Sequence, residues 1–148
     1  MDEIMDFRRL YLEDLGLIKV FFQNNPLEED KDTLQDREEE IEDDLRLNKF
    51  QYFGFVKDHD LIAFGKLRNE GDEAHFIGPF VLPEYRRKGI GKNIIEKIEL
   101  HCQQKGTSRL NAYSFIDTKL AEEFLTNSGY KLESVDALGV NIYIKEFK

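Results

Sequence analysis

Seven consecutive residues, RRKGIGK at positions 86 to 92, gather four cations and two glycines in a chain whose net charge is −9. A short apolar stretch closing on Pro83 precedes them, and an isoleucine-rich pattern of helical period follows. Such an arrangement suits the binding of an anion. Glycines let the backbone approach a ligand closely, and the first N–H groups of a helix have no internal partners. The helix dipole adds partial positive charge at the same place. Arg86, Arg87, Lys88 and Lys92 supply mobile charge around it. The chemistry this points to is the holding of a diphosphate.

Two familiar phosphate motifs do not fit. A dinucleotide fingerprint needs a third glycine where Ile94 stands, and this stretch lies far from an N-terminal strand–helix–strand unit. A P-loop needs glycine at Arg86 and a hydroxyl at Asn93. What remains is a strand end, a glycine turn and a helix start. The plain alternative is a capped turn with solvated cations, and the residues alone leave both open.

The elements that position this stretch can be read from periodicity. FRRLY (7 to 11) predicts a strand, and LEDLGLIKVFFQNN (12 to 25) a helix with Leu12, Leu15, Ile18 and Phe22 on one face. After Pro26, the acidic segment shows Leu27, Leu34, Ile41 and Leu45 as a narrow apolar stripe on a second helix. From Phe50 the period is two: QYFGFVKD and LIAFGKLRN predict a hairpin turning at DHD, and NEGDE turns the chain into a third strand, AHFIGPFVL. Its internal Gly78-Pro79 predicts a break in pairing, because proline cannot donate a ladder hydrogen bond. Ile90, Ile94, Ile95, Ile98 and Cys102 define a helix that Gly106 caps. SRLNAYSF is a strand, Asp117 an N-cap for TKLAEEFLTNS, Gly129 its stop, and YKLESV with ALGVNIYIKEF a closing strand pair. The order βααβββαβαββ predicts an α+β (mixed α/β) fold around one sheet with parallel and antiparallel parts.

Composition bounds the rest. A length of 148 residues, 41% of them apolar, predicts a single domain over 1–148. Apolar runs are far shorter than the ~20 residues that span a bilayer, so no membrane partner is expected. The lone Cys102 offers neither a disulfide framework nor a cysteine metal site, which suits a reducing, cytoplasmic setting. Residues 28 to 44, EEDKDTLQDREEEIEDD, carry eleven acids and two bases, the full net charge of the protein. The neutral remainder lacks the broad basic surface that nucleic acid requires. No two histidines have helical metal-ligand spacing, and no metal is expected. Cys102, continuing the isoleucine stripe, reads as a small buried hydrophobe.

VLPEYRRKGIGKNIIEKI resembles the acetyl-CoA-binding signature of the GNAT acyltransferase superfamily, Gln/Arg-x-x-Gly-x-Gly/Ala, with Arg86, Gly89 and Gly91 at its defining positions. FRRLYLEDLGLI is similar to that family's first strand and helix, LAEEFLTNSGYKLE to a later helix and strand, and the element order is the family's. The resemblance covers essentially the whole chain. It implies a central, mostly antiparallel sheet of about seven strands with about four helices and a splayed strand pair. It further implies acetyl-CoA as acyl donor, its pyrophosphate on backbone N–H groups of Arg87, Lys88, Gly89, Ile90, Gly91 and Lys92. The pantetheine arm would follow the strand at Phe80, Val81 and Leu82. Thr118, with Asp117 beside it, falls where the family often has a pantetheine-contacting asparagine.

The activity so implied is transfer of an acetyl group to a primary amine by direct attack in a ternary complex. The amine must lose a proton and the departing thiolate must gain one. The family's usual tyrosine acid corresponds here to Leu125, a departure that leaves Tyr113 and Tyr85 as candidate acids. Where some branches carry a basic carboxylate, this chain has His75, with Glu73 two residues earlier on the same strand face; an imidazole ordinarily titrates near ~6.5. The family's acceptor side lies near the first two helices, and the acidic run there would draw a polycation such as a polyamine, an aminoglycoside or a lysine-rich peptide. The competing expectation is a catalytically weak acyl-CoA-binding sensor or partner-binding module. The late strand VNIYIKEF offers an edge for pairing across a homodimer.

Overall fold

Alternating apolar residues from Gln51 to Val81 form three consecutive strands, and very short turns fix their directions. A computed structural model describes residues 5–24, 31–114 and 118–147. Its elements are β1 (Asp6–Leu10), a 3-10 turn (Leu12–Asp14), α1 (Leu15–Asn24), α2 (Lys31–Arg46), β2 (Gln51–Lys57), β3 (Asp60–Glu70) and β4 (Glu73–Val81). A second 3-10 turn (Pro83–Tyr85), α3 (Ile90–Gln104), β5 (Arg109–Ser114), α4 (Thr118–Asn127), β6 (Lys131–Val135) and β7 (Asn141–Glu146) follow. The seven strands form one sheet in the order β1-β2-β3-β4-β5-β7-β6. β4 and β5 are parallel, while β1 with β2, β5 with β7 and β6 with β7 are antiparallel. β2 turns into β3 through Asp58 and His59, both at positive φ, and β3 into β4 through Gly71 at φ 65°; two-residue turns of this hand match the twist of antiparallel strands. This is the α+β class expected from the element order.

The chain falls into two compact units, one comprising the chain up to Lys66 with Pro79–Gly91, the other Leu67–Gly78 with Lys92 onward. In the first, Phe64 is the hub of an aromatic core: its ring lies 5.1 Å from Phe21, 5.8 Å from Phe22, 5.9 Å from Tyr52 and 5.0 Å from Phe80. Gly54 permits close approach of β3, since a Cβ there would stand 2.6 Å from the Ala63 carbonyl oxygen. The entry to α1 departs from the predicted helix. Asp14 accepts hydrogen bonds from the Tyr11 N–H and the Arg8 guanidinium, both at 2.8 Å, and this tightens residues 12–14 into a 3-10 turn with Leu12 exposed rather than on the helix face. Of the predicted apolar stripe on α2, Ile41 is buried; Leu27 and the Leu34 side chain lie outside the described residues.

A buried ionic cluster, absent from the sequence reading, fastens α2. Asp44 accepts from the Tyr52 hydroxyl at 2.8 Å and from Lys66 Nζ at 3.0 Å. The same ammonium lies 4.5 Å from the Phe50 ring centroid. Burial and the Asp44 carboxylate push the Tyr52 hydroxyl pKa far above its ordinary value. Thus Asp44, one acid of the charged run, belongs to the core.

In the second unit, Ile94, Ile95, Ile98 and Cys102 from α3 are buried with Phe76, Leu110, Ala112, Leu125 and Tyr143. Both long helices here end as glycine predicts. Gly106 has φ 82° and Thr107 N–H bonds the Cys102 carbonyl, while Gly129 has φ 92° and Tyr130 N–H bonds the Leu125 carbonyl; these six-to-one bonds are Schellman caps. Glu99 accepts from the Tyr130 hydroxyl at 2.7 Å and from Lys145 at 3.1 Å. β7 lies between β5 and β6, so the strand edge at this end belongs to β6 and not, as expected, to VNIYIKEF.

Candidate active site

The basic glycine stretch folds as a turn that leaves a helix start open. Leu82 N–H donates to the Ile62 carbonyl at 3.0 Å, and the chain then tightens through Pro83–Tyr85. Arg86 donates from Nε to the Val81 carbonyl at 3.0 Å. Arg87 at φ 62° and Gly89 at φ 79° reverse the chain, and α3 begins at Ile90. A left-handed residue other than glycine, such as Arg87, is strained by roughly 1 kcal/mol or more. A Cβ on Gly89 would meet nothing within 4 Å, so its φ rather than packing selects glycine, and the space beside it is open. The first turn of α3 contains no acid to neutralise its dipole. Arg86, Arg87, Lys88 and Gly89 are exposed, and exposed Lys92 lies 4.0 Å from Glu96 one turn further on.

The strand leading into this turn loses its β5 partner midway, while the chain beyond it still bonds β3. β4 pairs with β5 from Glu73↔Arg109 to Ile77↔Tyr113. Ser114 still pairs with Asn141 of β7 but not with Gly78, which has φ 134°. Residues 115–117, Asp117 among them, lie outside the described residues, as does the Thr118 side chain at the start of α4. Since peptide groups alternate along a strand, the Leu82 bond to β3 turns the Val81 peptide groups toward the opposite edge. The Val81 carbonyl already accepts from Arg86, so the Val81 N–H is the backbone group presented there. Phe80 contributes its ring to the core, 5.0 Å from Phe64.

A second cluster lies wholly within the other unit. His75 and Tyr113, read separately from the sequence as base and acid, are in direct contact: imidazole Nδ1 stands 2.6 Å from the Tyr113 hydroxyl. The other nitrogen, Nε2, is 3.2 Å from Glu70 Oε2. Glu73 does not join them; its carboxylate meets Arg109 Nε at 3.4 Å and Asn111 Nδ2 at 3.4 Å. Arg109 also pairs with Glu133. Burial raises the Tyr113 pKa, Arg68 opposes this, and Glu70, Glu73 and Asp136 reinforce it. The phenol is consequently protonated at neutral pH and able to donate.

The remaining candidates take structural places. Leu125 is 2% exposed and packs in the core of the second unit. Tyr85 carries the ammonium groups of Lys57 and Lys88 within 5.5 and 5.6 Å of its ring centroid, a cation–π arrangement. Cys102 is fully buried, and burial pushes its thiol pKa up to about 11. Among the described residues no group of three His, Cys, Asp or Glu side chains is placed to hold a metal ion, and no helix is long and apolar enough to cross a membrane. Sequence reasoning missed Glu70. The one available signal was its place at the far side of the NEGDE turn, where hairpin geometry brings it diagonally opposite His75.

A mixed seven-stranded sheet with a parallel β4–β5 pair that ends at Ile77, and a cationic glycine turn opening α3, define the class of fold. A family profile described as Acetyltransferase (GNAT) family matches residues 7–130, and the chain belongs to that family. It is 27% identical over 85 residues to a spermidine N(1)-acetyltransferase of Thermoplasma acidophilum; the match spans 57% of this chain and 53%, about half, of that protein. Among solved structures, the PaiA N-acetyltransferase of Thermoplasma acidophilum in complex with coenzyme A superposes with a TM-score of 0.82, covering 97% of this chain and 99% of that one at 20% identity. An acetyltransferase from Thermus thermophilus gives 0.82 at 16% identity, covering 99% and 100%. At these identities the two likenesses concern the fold.

Proposed function

We propose that the chain is an N-acetyltransferase that carries an acetyl group from acetyl-CoA to a primary amine by direct attack in a ternary complex. The observation that carries this reading is the start of α3: an acid-free first turn behind Gly89 at φ 79°, with open space beside the glycine and Arg86, Arg87, Lys88 and Lys92 around it. The N–H groups from Arg87 to Lys92 would hold the pyrophosphate, and Val81 would present its N–H to the pantetheine arm. Bound there, acetyl-CoA supplies an activated thioester. Holding amine and thioester together lowers the barrier by ~7 kcal/mol or more, so modest acid–base help suffices. The His75–Tyr113 pair handles the protons. Family membership and the CoA-bound Thermoplasma relative support the donor.

For the acceptor, the acidic helix α2 and the likeness to a spermidine N(1)-acetyltransferase favour a cationic amine such as a polyamine. Burial of Leu125 at the usual acid position favours the second reading, an acyl-CoA binder without turnover. Incubation of the purified chain with acetyl-CoA and a panel of amines, with free thiol and acetylated product measured, separates the two. Thiol release equal to product is expected, and Gly89→Trp is expected to abolish coenzyme A binding with the circular-dichroism spectrum retained. Binding without turnover on any amine selects the sensor, and binding that survives Gly89→Trp refutes the assigned turn.

A further inference from the structure

The first compact unit holds a cavity of about 190 Å³ where α1, the start of β3 and the Pro83–Tyr85 turn meet. Its apolar lining includes Phe21, Leu61, Ile62 and Leu82, all buried. Val20 of α1 also lines it and is 42% exposed, so the cavity reaches the surface there. The polar part of the lining is chiefly two exposed acids, Asp60 and Glu84. Among the described residues neither carboxylate takes part in a hydrogen bond or an ion pair. An apolar cavity bordered by unpaired carboxylates suits a ligand with a short carbon stem and a positive end.

Size narrows the class. Pockets for drug-sized ligands run to ~300–1,000 Å³, and a water molecule takes ~30 Å³ of its liquid. The cavity therefore admits a molecule of about six non-hydrogen atoms and excludes a nucleotide. Nor is this the coenzyme's place. The Leu82 N–H bonds the Ile62 carbonyl, which puts a cavity lined by Leu61 and Ile62 on the β3 side of the turn, whereas the Val81 N–H faces the opposite edge. Two carboxylates would also repel a phosphate. The Tyr85 ring is not the seat for the ligand's charge, because the ammonium groups of Lys57 and Lys88 already stand 5.5 and 5.6 Å from its centroid. Neither lysine is among the lining residues.

We infer that this cavity is a binding site for a short primary alkylammonium ion, its carbon chain against Leu61, Ile62 and Leu82 and its ammonium at Asp60 and Glu84. Glu84 and Tyr85 run directly into Arg86, so the ligand touches the segment that forms the coenzyme turn. The site stands whether or not the chain transfers acetyl groups.

The probe is n-butylammonium chloride, titrated at constant ionic strength into the full chain without coenzyme and followed by NMR of labelled leucine, isoleucine and valine methyl groups. Saturable shifts are expected at Val20, Leu61, Ile62 and Leu82, with the millimolar dissociation constant that suits so few atoms. Butan-1-ol keeps the stem and loses the charge, and it should bind at least about fivefold more weakly. Asp60→Asn combined with Glu84→Gln should weaken butylammonium about fivefold while leaving butan-1-ol within about twofold. Both substitutions are at exposed positions, so the fold is expected to persist. Val20→Trp should fill the cavity and abolish binding of both probes. Shifts confined to the acidic helix α2, equal affinity for the alcohol, or butylammonium binding that survives the paired amides unchanged overturns the assignment. No acetyl transfer enters the measurement, so its failure leaves the acetyltransferase reading intact, and failure of that reading leaves this site intact.

Discussion

Leu125 occupies the position where family resemblance implies a tyrosine acid, and its burial explains why a simple restoration should fail. The side chain is 2% exposed within a core that includes Tyr130, Ile98 and Tyr143. A tyrosine there adds a ring and a hydroxyl to a filled space. Leu125→Tyr is expected to lower stability by about 1–3 kcal/mol, measured as a reduced urea midpoint, and to leave the thiol-release rate no higher than in the unaltered protein. A rise in rate would mean that α4 can turn this position toward the chemistry. Legibility at this scale was uneven. Gly89 and the surrounding cations were readable because backbone conformation and charge are written in residue type. Glu70 was not, since a glutamate in a turn has no local mark; only the φ 65° turn at Gly71 folds it back toward His75.

At the scale of elements, periodicity revealed where helices and strands lie but not which polar residues they bury. On α2, Asp44 follows Ile41 by three residues and so shares its inward face, yet in EEEIEDD it looks like every other acid. Its counterpart was the better signal: Lys66 interrupts LIAFGKL, a strand buried on both faces from Leu61 to Leu67. An ammonium in that setting requires a carboxylate, and Asp44 at 3.0 Å provides it. Removing one partner strands the other charge. Asp44→Ala should therefore cost about 3–5 kcal/mol by urea unfolding, whereas Asp44→Leu with Lys66→Met should recover most of that loss. A single-variant cost under about 1 kcal/mol would indicate that Lys66 reaches water. The Gly78-Pro79 break was legible for the opposite reason, because proline's missing donor is a backbone fact independent of context.

At the scale of the molecule, the net charge of −9 resides in residues 28 to 44, and the remainder is neutral. Burial of Asp44 and the 3.5 Å contact of Glu40 with Lys66 tie two of those acids to a core cation. Acids such as Glu38 and Asp43 act instead through their long-range field. A polyamine carries several positive charges and responds to that field in proportion, while a monoamine responds weakly. Screening lengths shorten from ~30 Å at 0.01 M salt to ~8 Å at 0.15 M. If the acidic run steers the acceptor, the KM for spermidine should rise several-fold across that range and the KM for a monoamine should change little. Converting Glu38, Glu39 and Asp43 to their amides should raise the low-salt KM for spermidine and flatten its salt dependence, with kcat preserved because none of the three belongs to the proposed proton path. Steady-state kinetics at four or more salt concentrations supplies the check. A spermidine KM that ignores both salt and the amide substitutions would reduce the run to a solvated helix face, leaving acceptor choice to short-range contacts.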